Sequence, residues 1–208
     1  VLTGIMRSPA GRRKLAAAGI PVVETWDLTP TPVDMLVGFS HEAVGRAVAQ
    51  FLIGKGRRRL AAISGDDDRA SRRCKAFEQA VAAAGLPPVA TVSLPAPTTM
   101  HYGRQAFAQL LAAHPDIDAV YCGSDVLALG VLTEAQVRGV AIPKRIAVIG
   151  FGDLDFSADL HPALSSVHLD GRFIGQQAAR FIVERAAGRQ PAERILDIGF
   201  TIIERAST

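Results

Sequence analysis

The chain has 208 residues, 49% of them hydrophobic, so it is long enough to bury one large core or two smaller ones. Its 23 basic and 20 acidic residues leave a formal charge of +3, too small an excess to predict a dense nucleic-acid surface. No apolar run approaches the roughly 20 residues that a membrane helix needs. The two cysteines, Cys74 and Cys122, fall in different predicted elements, which argues against a disulfide framework and fits a reducing compartment.

Strand and helix patterns alternate along the chain. In order, we predict strand 1–5, helix 8–18, strand 21–26, strand 35–39, helix 41–53, strand 60–64, helix 70–84, strand 89–94, helix 102–113, strand 119–122, helix 125–138, strand 146–151, strand 164–168, helix 171–187 and a final extended run over 195–204. This alternation is typical of parallel sheets with crossover helices. The first five residues look like the second half of a strand, so we expect further residues of the protein before Val1.

The segment 119–153 has the most informative pattern. An apolar strand ends at Ser124-Asp125, a helix follows at once, and a second apolar strand ends at Gly152-Asp153. Open α/β sheets bind ligands beyond the carboxyl ends of their strands. The segment therefore predicts a ligand site at this edge of a sheet.

This segment also resembles the effector-binding core of LacI/GalR-type transcription regulators. In that family one strand ends in Asn-Asp, a helix and an Ile-Pro turn follow, and the next strand ends in Gly-Phe-Asp-Asp. The chain carries Ser124-Asp125, then Ile142-Pro143, then Gly150-Phe151-Gly152-Asp153. It departs from the family pattern at Ser124, where Asn is usual, and at Gly152, where the first Asp is usual.

Two earlier segments are similar to gluconate-responsive repressors of the same family: residues 21–27, Pro-Val-Val-Glu-Thr-Trp-Asp, and residues 34–39, Asp-Met-Leu-Val-Gly-Phe. The resemblance implies an α/β, two-lobed fold of the type I periplasmic-binding-protein class, with a parallel sheet flanked by helices in each lobe and three crossovers. We expect an N-terminal lobe of residues 1–39 and 168–197, and a C-terminal lobe of residues 40–167 and 198–208. The family's DNA-binding helix-turn-helix is absent from these residues.

The resemblance also implies which residues touch a ligand. Family members carry Arg-x-x-Gly-aromatic at the start of a helix, and this Arg holds ligand oxygens. The matching text here is Arg73-Cys74-Lys75-Ala76-Phe77, with Arg69 as a possible neighbour. A guanidinium suits hydroxyls or a carboxylate. Ser124 and Asp125 would bind ligand hydroxyls, or cap the helix that they begin, and the two roles are compatible.

Two further features bear on the kind of ligand. Gly152 removes the carboxylate that the family uses to pair with sugar hydroxyls, although Asp153 could replace it. Together with Arg73, this change favours a sugar acid such as gluconate over a neutral sugar. Trp26 is either a core aromatic or a flat surface for stacking on a sugar, with Asp27 beside it to accept hydroxyls, and the sequence does not decide between these alternatives.

The sequence thus predicts the effector-binding and dimerisation core of a cytoplasmic LacI-type regulator. Its expected partners are a sugar or sugar-acid effector, a second copy of the chain in a homodimer, and operator DNA bound through the missing helix-turn-helix. Two alternatives remain open: a periplasmic sugar-binding protein of the same fold, and a small α/β enzyme acting on a carbohydrate. We expect no catalytic residues, no cofactor and no membrane contact. The five histidines lack metal-ligand spacing, so no metal site is expected.

Overall fold

The structure is a computed structural model that describes all 208 residues. It divides into two compact units. The first comprises Val1–Ser40 and Leu169–Phe200, and the second comprises His41–His168 and Thr201–Thr208. The chain therefore passes from one unit to the other three times.

The first unit is built on a four-stranded parallel sheet in the order β1-β2-β3-β9. Its elements are β1 (Leu2–Thr3), α1 (Pro9–Ala17), β2 (Val23–Thr25), β3 (Met35–Gly38), α6 (Gly171–Ala186) and β9 (Ile195–Asp197). The core lies between this sheet and α6, where Val23, Met35 and Val37 pack against one stripe of the helix.

The stripe on α6 follows the helical period. Ile174, Ala178 and Phe181 are buried at a spacing of four and three residues, which places them on one face. Asp170 begins the helix, and its carboxylate accepts a hydrogen bond from the Phe173 N–H at 2.8 Å. Phe173, next to this stripe in the sequence, is 37% exposed.

The second unit has a six-stranded sheet in the order β10-β8-β7-β6-β4-β5, parallel except for β10. Its elements are α2 (His41–Gly54), β4 (Leu60–Gly65), α3 (Asp68–Ala83), β5 (Ala90–Leu94), α4 (Met100–Ala113), β6 (Ala119–Cys122), α5 (Asp125–Val137), β7 (Ala147–Gly152), a 3-10 turn (Asp155–Ala158), β8 (Ser165–His168) and β10 (Thr201–Ile203). All residues of β4 and β6 are buried, as expected for central strands of a parallel sheet covered on both faces.

The predicted architecture of parallel sheets flanked by helices is confirmed, and one predicted element is corrected. The run 195–204 was predicted as extended throughout, with the expected lobe boundary after residue 197 dividing it, and the structure shows two separate strands in different sheets. β9 pairs parallel to β3 in the first unit, and β10 pairs antiparallel to β8 in the second. Gly199, with a φ of 64°, lies in the turn between them, a conformation that glycine adopts without steric cost. No helix is both long and apolar enough to cross a membrane.

Candidate ligand-binding site

The carboxyl ends of three neighbouring strands of the second unit define the candidate site. β4, β6 and β7 are adjacent and parallel, so the segments that follow them leave the sheet at the same edge. These segments bring together Arg73 in α3, Ser124-Asp125 at the start of α5 and Gly152-Asp153 after β7. The sequence predicted these residues as ligand contacts, and the structure places all of them in one unit at one edge.

Arg73 is buried at this edge, with 6% of its surface exposed. One guanidinium nitrogen, Nη2, donates a hydrogen bond to the Gly123 carbonyl at 3.1 Å, and Nη1 lies 3.0 Å from the His41 Nδ1 atom. The guanidinium carbon lies 3.8 Å from the centre of the Phe151 ring, a distance typical of a cation–π contact. The side chain is therefore held on three sides by protein groups.

None of these partners of Arg73 carries a negative charge, and its Nε has no hydrogen-bond partner. A buried cation without a counter-charge is unfavourable, since water no longer solvates it and no anion compensates. Arg73 would accordingly be stabilised by an anionic ligand. The carboxylates closest in the chain to the ends of β6 and β7, Asp125 and Asp153, are both engaged elsewhere.

Asp125 has no exposed surface. Its Oδ1 accepts a hydrogen bond from the Ser166 hydroxyl at 2.6 Å, and its Oδ2 accepts from the Ser157 hydroxyl and the Leu154 N–H, each at 2.8 Å. Gly150 makes room for this carboxylate, because a Cβ there would collide with Oδ1. These hydrogen bonds show that Asp125 holds the loop after β7 in place. The sequence motif did not reveal this structural role.

Asp153 forms two charge-assisted contacts within the second unit. Its Oδ1 lies 2.7 Å from the Arg205 Nη1 atom, and its Oδ2 lies 3.0 Å from the His168 Nδ1 atom. Its backbone has a φ of 50°, which Asp tolerates better than most residues. Asp153 therefore does not turn toward Arg73, and Gly152 before it contributes space and no charge.

Ser124 and Arg69 are the two more accessible members of the site. Ser124 caps α5, its hydroxyl accepting a hydrogen bond from the Leu127 N–H at 3.3 Å and lying 3.4 Å from the Thr98 hydroxyl. The capping role foreseen for this residue is thus observed. Arg69 is half-buried near the start of α3 and forms no ion pair.

The remaining predicted residues, Trp26 and Asp27, belong to the first unit. Trp26 follows β2 with a φ of 64°, a strained conformation for a bulky residue, and its half-buried ring packs against Gly171 and, edge to face, against Phe39 at 6.5 Å between centroids. Asp27 is 1% exposed, its Oδ1 accepts from the Leu28 N–H, and its Oδ2 lies 3.6 Å from Arg7. Both side chains have structural contacts that the sequence did not show.

Two ionisable groups near Arg73 stay neutral. Burial raises the pKa of the Cys74 thiol to about 12, with the nearby Glu78 carboxylate acting in the same direction. Burial also raises the pKa of the Tyr121 hydroxyl, although the charge of Arg73 opposes this. Because a thiolate is the nucleophilic form of cysteine, Cys74 is unreactive at neutral pH. No group of three or more His, Cys, Asp or Glu residues lies close enough together to hold a metal ion.

Comparison with known proteins gives the family. Residues 49–208 match the periplasmic binding protein-like domain. The chain is 40% identical over 210 residues to the HTH-type transcriptional regulator GntR of Pseudomonas aeruginosa, covering 100% of this chain and 61% of that protein. It is 30% identical over 203 residues to the HTH-type transcriptional regulator GntR of Escherichia coli strain K12, covering 97% of this chain and 61% of that protein.

Solved structures agree with this assignment. The structure of transcription regulator GntR from Chromobacterium violaceum superposes with a TM-score of 0.94 at 34% identity, covering 99% of this chain and 76% of that one. The CelR–cellobiose complex, also of a transcriptional regulator, superposes with a TM-score of 0.78 at 25% identity, covering 97% and 71%. The chain belongs to the periplasmic binding protein-like domain family, in the form found in LacI-type regulators. It spans 61% of the length of the two GntR relatives.

Proposed function

We propose that this chain is the effector-binding domain of a LacI-type transcription regulator and that its effector is a sugar acid such as gluconate. The main support for an acidic ligand is that the Arg73 guanidinium is buried among neutral groups and forms no ion pair. A carboxylate supplies the missing counter-charge, and a neutral sugar does not. The 40% identity to a regulator named GntR supports the same class of protein.

The other residues of the edge have distinct roles in this proposal. Arg69 adds a second positive charge near the ligand, and the Ser124 hydroxyl hydrogen-bonds a sugar hydroxyl. Gly152 leaves the space in which a carboxylate would repel an anion. Asp125 and Asp153 act indirectly, because their hydrogen bonds hold the loop after β7 in place.

For the first unit taken by itself, we propose that Trp26 is a surface for a sugar-like ligand through the part of its ring that remains exposed, with Asp27 fixing the turn in which Trp26 lies. The strained backbone at Trp26 supports this role, because strain of this kind persists at sites where it places a side chain for function. The CelR–cellobiose complex shows a regulator of this fold with a carbohydrate bound, which supports a sugar-derived effector here.

The complete protein would act by allostery and would not be an enzyme. We propose that it is a cytoplasmic homodimer that binds operator DNA through an N-terminal helix-turn-helix outside these 208 residues. Effector binding and operator binding would be coupled, and the coupling free energy is the same in both directions. A periplasmic sugar-binding protein is disfavoured, because the relatives that cover nearly the whole chain are regulators.

The test compares gluconate with the neutral sugar glucose and with glucitol, the open-chain alcohol that has CH₂OH in place of the gluconate carboxylate, by isothermal titration of the full-length protein. We expect gluconate to bind and, at a hundred times its Kd, to add about 2.7 kcal/mol of stability. Arg73→Gln should abolish binding, while the exposed control Arg13→Gln should not. Equal affinity for gluconate and glucitol would refute the sugar-acid proposal. Operator affinity that no sugar or sugar acid alters would refute the regulator proposal.

A further inference from the structure

His41 lies at the start of α2, and its ring is the side-chain partner closest to the Arg73 guanidinium. The two side chains are 2% and 6% exposed, and the Nη1 and Nδ1 atoms are 3.0 Å apart. An arginine can only donate, so the His41 Nδ1 atom must accept this hydrogen bond, and the ring carries its proton on Nε2. His41 is thus a neutral acceptor for a buried cation.

The positions of α2 and α3 make this contact possible. Gly45 lies one turn after His41 and touches α3 so closely that a Cβ there would collide with the Arg73 carbonyl oxygen and would lie 3.0 Å from the Ala76 Cβ atom. The two helices therefore cross at Arg73, and the first residue of α2 reaches its guanidinium.

The neighbouring pair on the same two helices shows the contrast. Arg72 forms a two-pronged ion pair with Glu42, with 2.6 Å from Nε to Oε1 and 3.1 Å from Nη2 to Oε2. The charge of Arg72 is therefore neutralised by α2, whereas the charge of Arg73, one residue further, is not. Two adjacent residues of α2 thus have different effects on two adjacent arginines. Glu42 neutralises the charge of Arg72, whereas His41 orients the Arg73 guanidinium and leaves its charge in place.

We propose that His41 is the residue that sets the charge preference of the effector site, because it holds the Arg73 side chain in place and leaves its positive charge available to an anion. This inference rests on the proposed function. A carboxylate at position 41 would occupy Arg73 as Glu42 occupies Arg72, and it would remove the attraction for a sugar acid. A side chain with no acceptor would leave the guanidinium free to turn.

The experiment uses three substitutions in the full-length protein: His41→Asn, His41→Asp and His41→Ala. The Asn Oδ1 atom takes the place of the His Nδ1 atom as a neutral acceptor, and Asp has the same shape with a negative charge. Because an acidic residue is favourable in the first turn of a helix, His41→Asp is expected to fold. The exposed His101→Ala on α4 is the control for loss of a histidine.

Gluconate and glucose affinities are measured by calorimetry, with a thermal melt of each unliganded variant. We expect His41→Asn to stay within about threefold of the wild-type gluconate affinity and His41→Asp to lose about tenfold to a hundredfold. His41→Ala should lose about tenfold, and His101→Ala should bind as wild type does. A loss that is confined to gluconate, in variants that melt as wild type does, supports the inference.

Other outcomes separate the two proposals. If wild type binds gluconate and His41→Asp binds it equally well, the inference is overturned and the proposed function stands. If His41→Asn and His41→Asp lose affinity to the same extent, His41 acts through ring packing and the inference is again overturned. If wild type binds no sugar acid, the proposed function fails and the inference fails with it.

Discussion

Asp125 offers the sharpest test of what this edge of the sheet does. Its carboxylate accepts three hydrogen bonds, from Ser166, Ser157 and the Leu154 N–H, and it is fully buried. Hydrogen bonds to a charged group contribute about 1.5–3 kcal/mol each and are not additive within one network. We therefore expect Asp125→Ala to lower the free energy of unfolding by about 3–5 kcal/mol.

Asp125→Asn should cost less, because the amide can keep its oxygen at the Oδ2 position, where two donors converge. Its NH₂ group then faces the Ser166 hydroxyl, which already accepts from the Asp153 N–H at 3.0 Å. All three hydrogen bonds are kept but become neutral, and the one to Ser166 reverses its direction, so we expect a loss of about 1–3 kcal/mol. The exposed Asp159→Asn is the matched control and should change stability by less than about 0.5 kcal/mol.

The assay is urea unfolding followed by circular dichroism, with gluconate titrations well below each variant's transition. If Asp125 supports the loop, stability falls in the order wild type, Asn, Ala, and the folded Asn variant still binds. If Asp125 instead contacts the effector, binding is lost while stability is unchanged. If the urea midpoint of Asp125→Ala equals that of the wild type, the supporting role of Asp125 is refuted.

Three further outcomes are expected. Gly171→Ala should destabilise the protein by about 1–3 kcal/mol and shift the fluorescence of Trp26, because the new Cβ atom would lie 2.8 Å from the Trp26 ring. The control Gly175→Ala should be neutral or stabilising, because a Cβ atom at that position meets nothing within 4 Å. The pKa of Glu134 is lowered by hydrogen bonds from its two arginine partners, so its contribution to stability is present above the ordinary pKa of Glu and is lost as the pH falls through the lowered one. The free energy of unfolding of Glu134→Gln, measured as a function of pH, should accordingly fall less steeply in acid than that of the wild type. The same pH dependence in both proteins would contradict this prediction. With the pKa of Cys74 at about 12, Ellman's reagent should label neither thiol of the native protein at pH 8 and both in urea, and rapid native labelling would contradict the burial.

Local patterns were sufficient for most elements. The strand 119–122 was predicted at its observed bounds, and Ser124 caps α5 as expected, since hydrophobic period and capping residues are properties of neighbouring positions. For the run 195–204, hydrophobic pattern alone did not show the break between its two strands, and the expected lobe boundary after residue 197 came from the family resemblance.

The candidate site shows the same division. The order of motifs along the chain located Ser124 and Gly152 at strand ends and Arg73 in the helix that follows another strand, and parallel strands then required them to share an edge. Sequence spacing could not show that the carboxylate of Asp125 faces inward, because Ser157 and Ser166 that bind it lie 32 and 41 residues away. The neighbouring serines 165 and 166, which are buried in β8, were the available signal for such a buried partner.

The amino-acid sequence by itself determined the class of this protein: the alternating strands and helices, the family motifs and the positions of the strand ends all follow from local pattern. Only the tertiary structure decided which charges are neutralised. Asp153 faces Arg205 from 52 residues away, Arg72 meets Glu42, and Arg73 meets the neutral ring of His41. Charge compensation depends on distances between groups far apart in the chain, and these distances exist only once the helices and sheet have packed.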